Sequence, residues 1–257
     1  MKLTFLGTGT STGIPAIGCD CEVCLSPDPR NQRRRASVYV EVGDAQVLID
    51  TPPDFREQAL IYKVRHIDAV LFTHSHADHM FGFDDIRRFN SIQDAVIPAY
   101  ASTSVVADLR RVFDYIGVDP VPGVYRPRIE YREFNSAPFA VGVLDVQPLP
   151  VEHGPKDTHG FLLHSDGRTL GYFPDCHRMS DAVVESLSGI DVMILDGLRH
   201  RPHTTHMTIA ESVAVLTRIQ AKQSYITHVG HDLDHGPTEA DLPDGVLLAH
   251  DGLVLDW

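Results

Sequence analysis

His74-Ser75-His76-Ala77-Asp78-His79 puts three imidazoles and a carboxylate within six residues, directly after the apolar run Ala69-Val70-Leu71-Phe72. Neutral imidazole and carboxylate are the usual ligands of Zn²⁺ and related divalent ions. At the end of a strand, residues two apart point to the same side, so His74 and His76 can bind one ion together. Asp78 and His79 follow where a helix can begin, and there they can turn toward a second ion. Three later apolar runs also finish on a ligand-type residue: Leu149–His153, Leu170–Asp175 and Ser224–His228. One such residue is commonly a satisfied polar group at a strand end. Four of them in one chain point to loops converging on a single site at one edge of a sheet.

A second cluster is built on sulfur. Cys19-x-Cys21-x-x-Cys24 holds three of the four cysteines, too close together for ordinary disulfides, which suggests thiolates held for a metal. A closed structural zinc takes four ligands. Cys176 is one candidate for the fourth; His231, three residues after His228, is the better one. His200, His203 and His206 crowd another stretch, and Cys176-His177 directly after Asp175 has no assigned role.

Elements must position these groups. Ser37–Val42 and Gln46–Asp50 read as a hairpin joined by Gly43-Asp44-Ala45. Phe161–His164 and Thr169–Phe173 flank Asp166-Gly167, and Val246–Ala249 and Leu253–Trp257 flank Asp251-Gly252; each Asp-Gly pair predicts a tight hairpin turn. Ser104–Ile116 has helical spacing, with Val105, Leu109, Val112 and Ile116 on one face and Gly117 as its stop. Thr208-Ile-Ala-Glu211 predicts a capping box opening a helix with Ile209, Val213 and Leu216 inward. Strands, then strand–helix units, then strands and helices again predict an α/β fold with two facing sheets and helices outside, a four-layer αββα sandwich.

At 257 residues, 43% hydrophobic and 22% charged, the chain reads as an ordinary soluble protein with ample core. No apolar stretch approaches the ~18–20 residues of a membrane span, and Met1–Gly7 reads as a first strand, so a cytoplasmic location and no membrane partner are expected. The net charge of −13 argues against general nucleic-acid binding. The one basic run, Arg33-Arg34-Arg35, reads as a solvated loop.

The ligand residues resemble the metallo-β-lactamase superfamily, whose pattern is His-x-His-x-Asp-His, then a lone His, a bridging Asp and a final His. This chain supplies them in order as His74, His76, Asp78, His79, His153, Asp175 and His228, and Ile49-Asp50 matches an early aspartate that supports the ligand loop. The resemblance implies one hydrolase domain over 1–257. His74, His76 and His153 would hold one ion, Asp78, His79 and His228 the other, and Asp175 would bridge them. Two metals about 3.5–4 Å apart can lower the pKa of shared water toward ~7 and clamp the oxygens of a phosphoryl or carbonyl group. Zn²⁺ and Mn²⁺ both accept such a mixed set.

The Leu6-Gly7-Thr8-Gly9 opening, the cysteine hook over 19–24 and the closing His-x-x-His pair are similar to the phosphodiesterases of phosphonate degradation. Those open 5-phosphoribosyl 1,2-cyclic phosphate to the 1,5-bisphosphate. The resemblance implies a small phosphodiester as substrate, two active-site ions, and one structural zinc on Cys19, Cys21, Cys24 and His231. For catalysis it points to Asp78 and to His206, as proton donor or phosphate ligand. The oligomeric state stays open, a homodimer included. One alternative is a tRNA 3′-processing endonuclease, disfavoured by the acidic chain and the lack of an obvious long arm for gripping tRNA. Another is a non-hydrolytic protein resembling the PQQ-biosynthesis family, which shares the hook but has a degraded active site; here all seven ligands are present.

Overall fold

The computed structural model describes residues 1–119 and 122–257. In chain order the strands are β1 (Lys2–Gly7), β2 (Ser37–Val42), β3 (Ala45–Ile49), β4 (Ala69–Leu71), β5 (Ile97–Ser102), β6 (Ile129–Phe134) and β7 (Phe139–Val141). There follow β8 (Leu144–Val151), β9 (Thr158–Ser165), β10 (Arg168–Phe173), β11 (Val192–Asp196), β12 (Gln223–Thr227), β13 (Val246–Leu248) and β14 (Val254–Asp256). One sheet runs β14-β1-β2-β3-β4-β5-β6 and the other β13-β12-β11-β10-β9-β8-β7.

Alternation builds the layers. On β2 and β3, Val38, Val40, Val47 and Ile49 face the opposite sheet, where they meet Leu163, Tyr172 and Ile194. Tyr39 and Leu48 between them face outward, into a second core with Val70, Phe72 and Leu109. On the other sheet Met193 and Leu195 likewise turn outward toward Leu216 and Ile219. Successive strand side chains point to opposite faces, so sheets buried on both sides read as near-continuous apolar runs. The helices α1 (Phe55–Ile61), α2 (Ala77–Met80), α3 (Ile86–Gln93) and α4 (Thr103–Val112) belong with the first sheet. The helices α5 (Asp181–Ser186), α6 (Ile209–Ile219) and α7 (His235–Ala240) belong with the second. This is the four-layer αββα sandwich expected from the pattern. Among the described residues no helix is long and apolar enough to cross a membrane.

The chain direction puts the ligand loops together. Strands β3 to β6 are mutually parallel, as are β10 to β13, and β8 runs the same way as β10 because both are antiparallel to β9. The C-terminal ends of β3 and β4, and of β8, β10, β11 and β12, therefore each gather at one edge of their sheet.

Four local expectations change. The β2–β3 turn is the two residues Gly43-Asp44, with Ala45 already in β3. Asp166-Gly167 does close the β9–β10 hairpin, both residues at positive φ. Asp251-Gly252 does not make one: β13 pairs with β12 and β14 with β1, so the chain crosses between sheets there. The Asp251 carboxylate is drawn off to accept from Thr8 Oγ1 at 2.8 Å and the Arg34 amide at 2.7 Å. Helix α4 ends at Val112 because Phe113 leaves the helical conformation and puts its ring among Phe81, Phe83 and Tyr115.

The arginine run is the fourth. It is no solvated loop: Arg33 is buried, donating to Thr8 Oγ1 at 2.7 Å and to the Ala249 carbonyl, with His235 Nδ1 at 2.8 Å. Arg34 pairs with Glu57 and Arg35 with Asp54. Their backbone lies so close to β1 that a Cβ on Gly7 would fall 2.0 Å from the Arg35 carbonyl oxygen, leaving room for glycine alone.

Candidate metal centre

The loop after β4 is set by Asp50, just past β3. Asp50 is buried with φ of 63°, a conformation that costs a non-glycine residue about 1–2 kcal/mol. Three contacts offset that cost: the Thr73 amide at 2.9 Å, Thr73 Oγ1 at 2.8 Å and His79 Nδ1 at 2.8 Å. His79 thereby gives Nδ1–H to Asp50 and turns Nε2 inward, the support a metal-binding imidazole commonly has. His153 is held the same way, Nδ1 lying 2.8 Å from the Thr205 carbonyl oxygen. Helix α2 starts at Ala77 with His76 as its N-cap residue, which swings Asp78 and His79 onto the far side of the loop from His76.

Two groups of ligand atoms result, with Asp175 between them. His74 Nε2 lies 2.9 Å from His76 Nδ1, which lies 3.2 Å from His153 Nε2; Asp175 Oδ2 is 3.7 Å from His74 and 3.4 Å from His153. On its other side, Asp175 Oδ1 is 3.1 Å from His79 Nε2 and 3.4 Å from His228 Nε2, while Asp78 Oδ2 is 3.5 Å and 3.6 Å from the same two nitrogens. A tetrahedral ion with bonds of about 2.0–2.1 Å sets its ligands about 3.3 Å apart, so both groups have the dimensions of one ion's shell.

The chemistry of the groups agrees. His79 Nε2, His228 Nε2 and Asp175 Oδ1 are buried with no hydrogen-bond partner, which is costly unless something else satisfies them. Burial holds His74 and His153 below the ordinary imidazole value, keeping them neutral as ligands must be. Burial would raise the Asp78 and Asp175 carboxyls, but the imidazoles of His79 and His228 outweigh it and hold both far below the usual carboxylate range. At His79 burial is in turn outweighed by Asp175, Asp78 and Asp50, which push that imidazole well up. The pocket calls for positive charge.

Beside it lies His206, 8% exposed and stacked on His228 at 4.7 Å between ring centroids. Its Nδ1 is 2.7 Å from Asp196 Oδ2 and its Nε2 is 4.0 Å from Asp175 Oδ2. Asp196, the last residue of β11, is not among the residues the sequence singles out, although it carries the same signal as the others, an apolar run, Val192-Met-Ile-Leu, finishing on a carboxylate. The same Oδ2 accepts from the Cys176 amide at 2.9 Å, which assigns that neighbour's backbone a role, while its thiol is buried and held well up by desolvation. His177 places Nδ1 3.4 Å from the His206 carbonyl oxygen and takes no part in either ligand group.

The sulfur cluster forms separately. Cys19, Cys21 and Cys24 bring Sγ to 3.3, 3.5 and 3.5 Å from His231 Nδ1, and of the two candidates for a fourth ligand it is His231, not Cys176, that the fold brings to them. The Cys24 amide, donating to Cys21 Sγ, is the main cause of a Cys21 thiol held down at about 6.

A family model described as a β-lactamase superfamily domain matches residues 45–229. The chain belongs to the metallo-β-lactamase superfamily. Within that superfamily it is similar to a solved structure described as a new diphosphatase from the PhnP family. Identity is 41%, with 100% of this chain and 96% of that one covered, at a TM-score of 0.91. It is 33% identical over 262 residues to an octanoyltransferase of Porphyromonas gingivalis, covering 98% of this chain but about half, 51%, of that relative's length. It is 26% identical over 306 residues to coenzyme PQQ synthesis protein B of Methylorubrum populi, covering 100% of both. The metallo-β-lactamase fold, the two metal-sized groups of His and Asp atoms and the likeness to a diphosphatase support a metal-dependent hydrolase.

Proposed function

We propose that the protein is a dinuclear phosphoric diester hydrolase acting on a small cyclic phosphodiester, with 5-phosphoribosyl 1,2-cyclic phosphate opened to the 1,5-bisphosphate as the leading case. The observation that carries this reading is the two-sided Asp175 between two ligand groups, with the His206–Asp196 pair beside it. His74, His76, His153 and Asp175 would hold one divalent ion, Zn²⁺ or Mn²⁺, and Asp78, His79, His228 and Asp175 the other. Two ions so held supply an activated water near neutral pH and neutralise charge on the phosphoryl oxygens. Cys19, Cys21, Cys24 and His231 make a closed set for one structural zinc.

His206 would supply the proton. Asp196 fixes its Nδ1, so Nε2 is the free nitrogen and faces the reacting group. Burial keeps His206 below the ordinary imidazole value, with Asp175 opposing. An anionic phosphate arriving beside it raises its affinity for a proton and loads Nε2 when substrate is bound. From there the proton can pass to the leaving ribose oxygen, a poor leaving group without it. The diphosphatase relative favours a second reading, in which the broken bond joins two phosphates. A leaving phosphate needs that proton less.

Leaving-group protonation contributes about 10²–10⁴-fold. His206→Ala is therefore expected to slow a ribose cyclic phosphate by that factor while slowing bis-p-nitrophenyl phosphate, whose leaving group is stabilised unaided, far less. Steady-state kinetics on both substrates, with metal occupancy checked, decides it. Equal losses would make His206 a phosphate or metal support instead of an acid.

A further inference from the structure

Among the residues that frame the centre, His76 and Asp78 keep access to solvent, while His74, His79, His153, Asp175 and His228 are buried. Substrate must enter past the first two. Three segments meet beside them on the carboxylate of Asp108, in α4. Ser75, between the ligands His74 and His76, donates to Asp108 Oδ2 at 2.6 Å. Arg111, one turn further along α4, donates to Asp108 Oδ1 at 3.0 Å. Lys156, three residues after the ligand His153, holds Nζ at 3.4 Å from both Asp108 Oδ2 and Ser75 Oγ. Asp108, Lys156 and Arg111 together carry +1 on a chain whose net charge is −13, with the Asp157 carboxylate turned to Ser102 and Ser104 at the start of α4.

Both cations have capacity to spare. An ammonium has three donors, and the two contacts of Lys156 are long for hydrogen bonds to a carboxylate and a hydroxyl. Arg111 uses one guanidinium contact of five and its side chain is 74% exposed. The functional reading above leaves this pair unused. We propose that Lys156 and Arg111 form the subsite for a second, non-reacting phosphate, so that the enzyme selects phosphodiesters that also carry a terminal phosphomonoester. The inference rests on the phosphodiesterase reading and narrows its substrate class. A phosphate dianion would replace long contacts by short charge-assisted ones. Asp108 acts as the splint that holds both cations and, through Ser75, fixes them relative to the ligand loop.

The test compares 5-phosphoribosyl 1,2-cyclic phosphate with its counterpart lacking the 5-phosphate. A charge-assisted hydrogen bond is worth about tenfold or more in binding. Lys156→Ala should raise KM for the phosphorylated substrate by about tenfold or more, with kcat nearly kept, and Lys156→Arg should restore most of it. The loss of kcat/KM on the unphosphorylated counterpart should be about tenfold smaller. As an independent arm, ribose 5-phosphate should inhibit hydrolysis of bis-p-nitrophenyl phosphate competitively, with Ki rising in Lys156→Ala by the same factor as KM. Equal losses on both cyclic phosphates, or a wild-type enzyme that ribose 5-phosphate does not inhibit, would overturn the subsite. Wild-type protein that hydrolyses bis-p-nitrophenyl phosphate and neither cyclic phosphate would overturn the proposed reaction, and the inhibition arm would still decide the subsite.

Discussion

At the scale of the residue, the centre depends on groups that hold other groups. Asp196 touches no ligand atom in either metal-sized group, yet it aims His206 by a 2.7 Å contact at Nδ1. Asp196→Asn keeps an acceptor but offers an amide N–H₂ as well, so the imidazole can turn over to the opposite tautomer. Turnover of a ribose cyclic phosphate should then fall by about 10²-fold, close to the His206→Ala level, with metal content unchanged. The double variant should be little worse than either single one, since residues acting as a unit are not additive. Independent, multiplying losses would separate Asp196 from His206. These contacts also show what a sequence conceals at this scale. The seven candidate ligands stand out because they are chemically rare and regularly placed. A lone aspartate after an apolar run is common, and nothing in its identity says which imidazole it will meet. Arg33 is hidden for a related reason: composition records its charge, while its burial depends on Thr8, Ala249 and His235, brought to it by the fold.

Elements were legible where the signal is local. The Thr208 capping box forms as read, with the Glu211 amide donating to Thr208 Oγ1 at 3.2 Å and the Thr208 amide to Glu211 Oε2 at 2.8 Å. At Asp251-Gly252 the pair fails as a hairpin signal: only Gly252 takes positive φ, and a turn-type pair does not say which strand will pair with the next. Strand β14 finds β1 at the opposite end of the chain. The cysteine hook belongs at this scale too. It is a loop with a small core of its own, Ile14, Val23 and Cys24. It joins the rest through His231, through the Ile14 and Arg33 backbones, which pair both ways at 2.8 Å, and through Thr10, which donates to the Val229 carbonyl at 3.1 Å, with Val229 donating to that of Thr8 at 2.9 Å. Protein purified without chelator should hold about three divalent ions per chain. Cys19→Ser should hold about two and melt several degrees lower, since one closed four-ligand site is lost. Elemental analysis with a melting curve checks both. Full zinc with unchanged melting would show that the hook holds no metal.

For the whole molecule, the network around Arg33 ties residues 8, 33, 235 and 251 together and makes stability respond to acid in two opposed ways. Burial, helped by Arg33, lowers His235 to about 4. Its contribution is complete above the unfolded value near 6.5 and is lost as pH falls through 4. Burial raises Asp251 to about 6, against the Arg34 amide and Thr8. Its contribution is complete below the unfolded value near 3.9 and is lost as pH rises through 6. Between about pH 4 and 6 the unfolded chain carries a proton on His235 and the folded one a proton on Asp251, so the two slopes cancel. Asp251→Asn removes one side of that balance. At about 1.4 kcal/mol per pH unit it should lose on the order of 3 kcal/mol between pH 6.5 and 4 relative to the parent. Denaturant unfolding of both proteins across that range measures the difference. Parallel pH profiles would dissociate Asp251 from His235.

The two sheets share no strand, and each group of ligand atoms draws on both. His74 and His76 reach across to His153 and Asp175; Asp78 and His79 reach across to Asp175 and His228. Any ion seated there rivets one half of the sandwich to the other, so its binding energy is also adhesion between the halves. Free metal concentration then sets how firmly the halves clasp. In a chain nicked at the exposed Asn135–Pro138 link, the shared core and β14 on β1 would still hold the halves together, and metal would raise the denaturant needed to part them, a gain that a chelator removes.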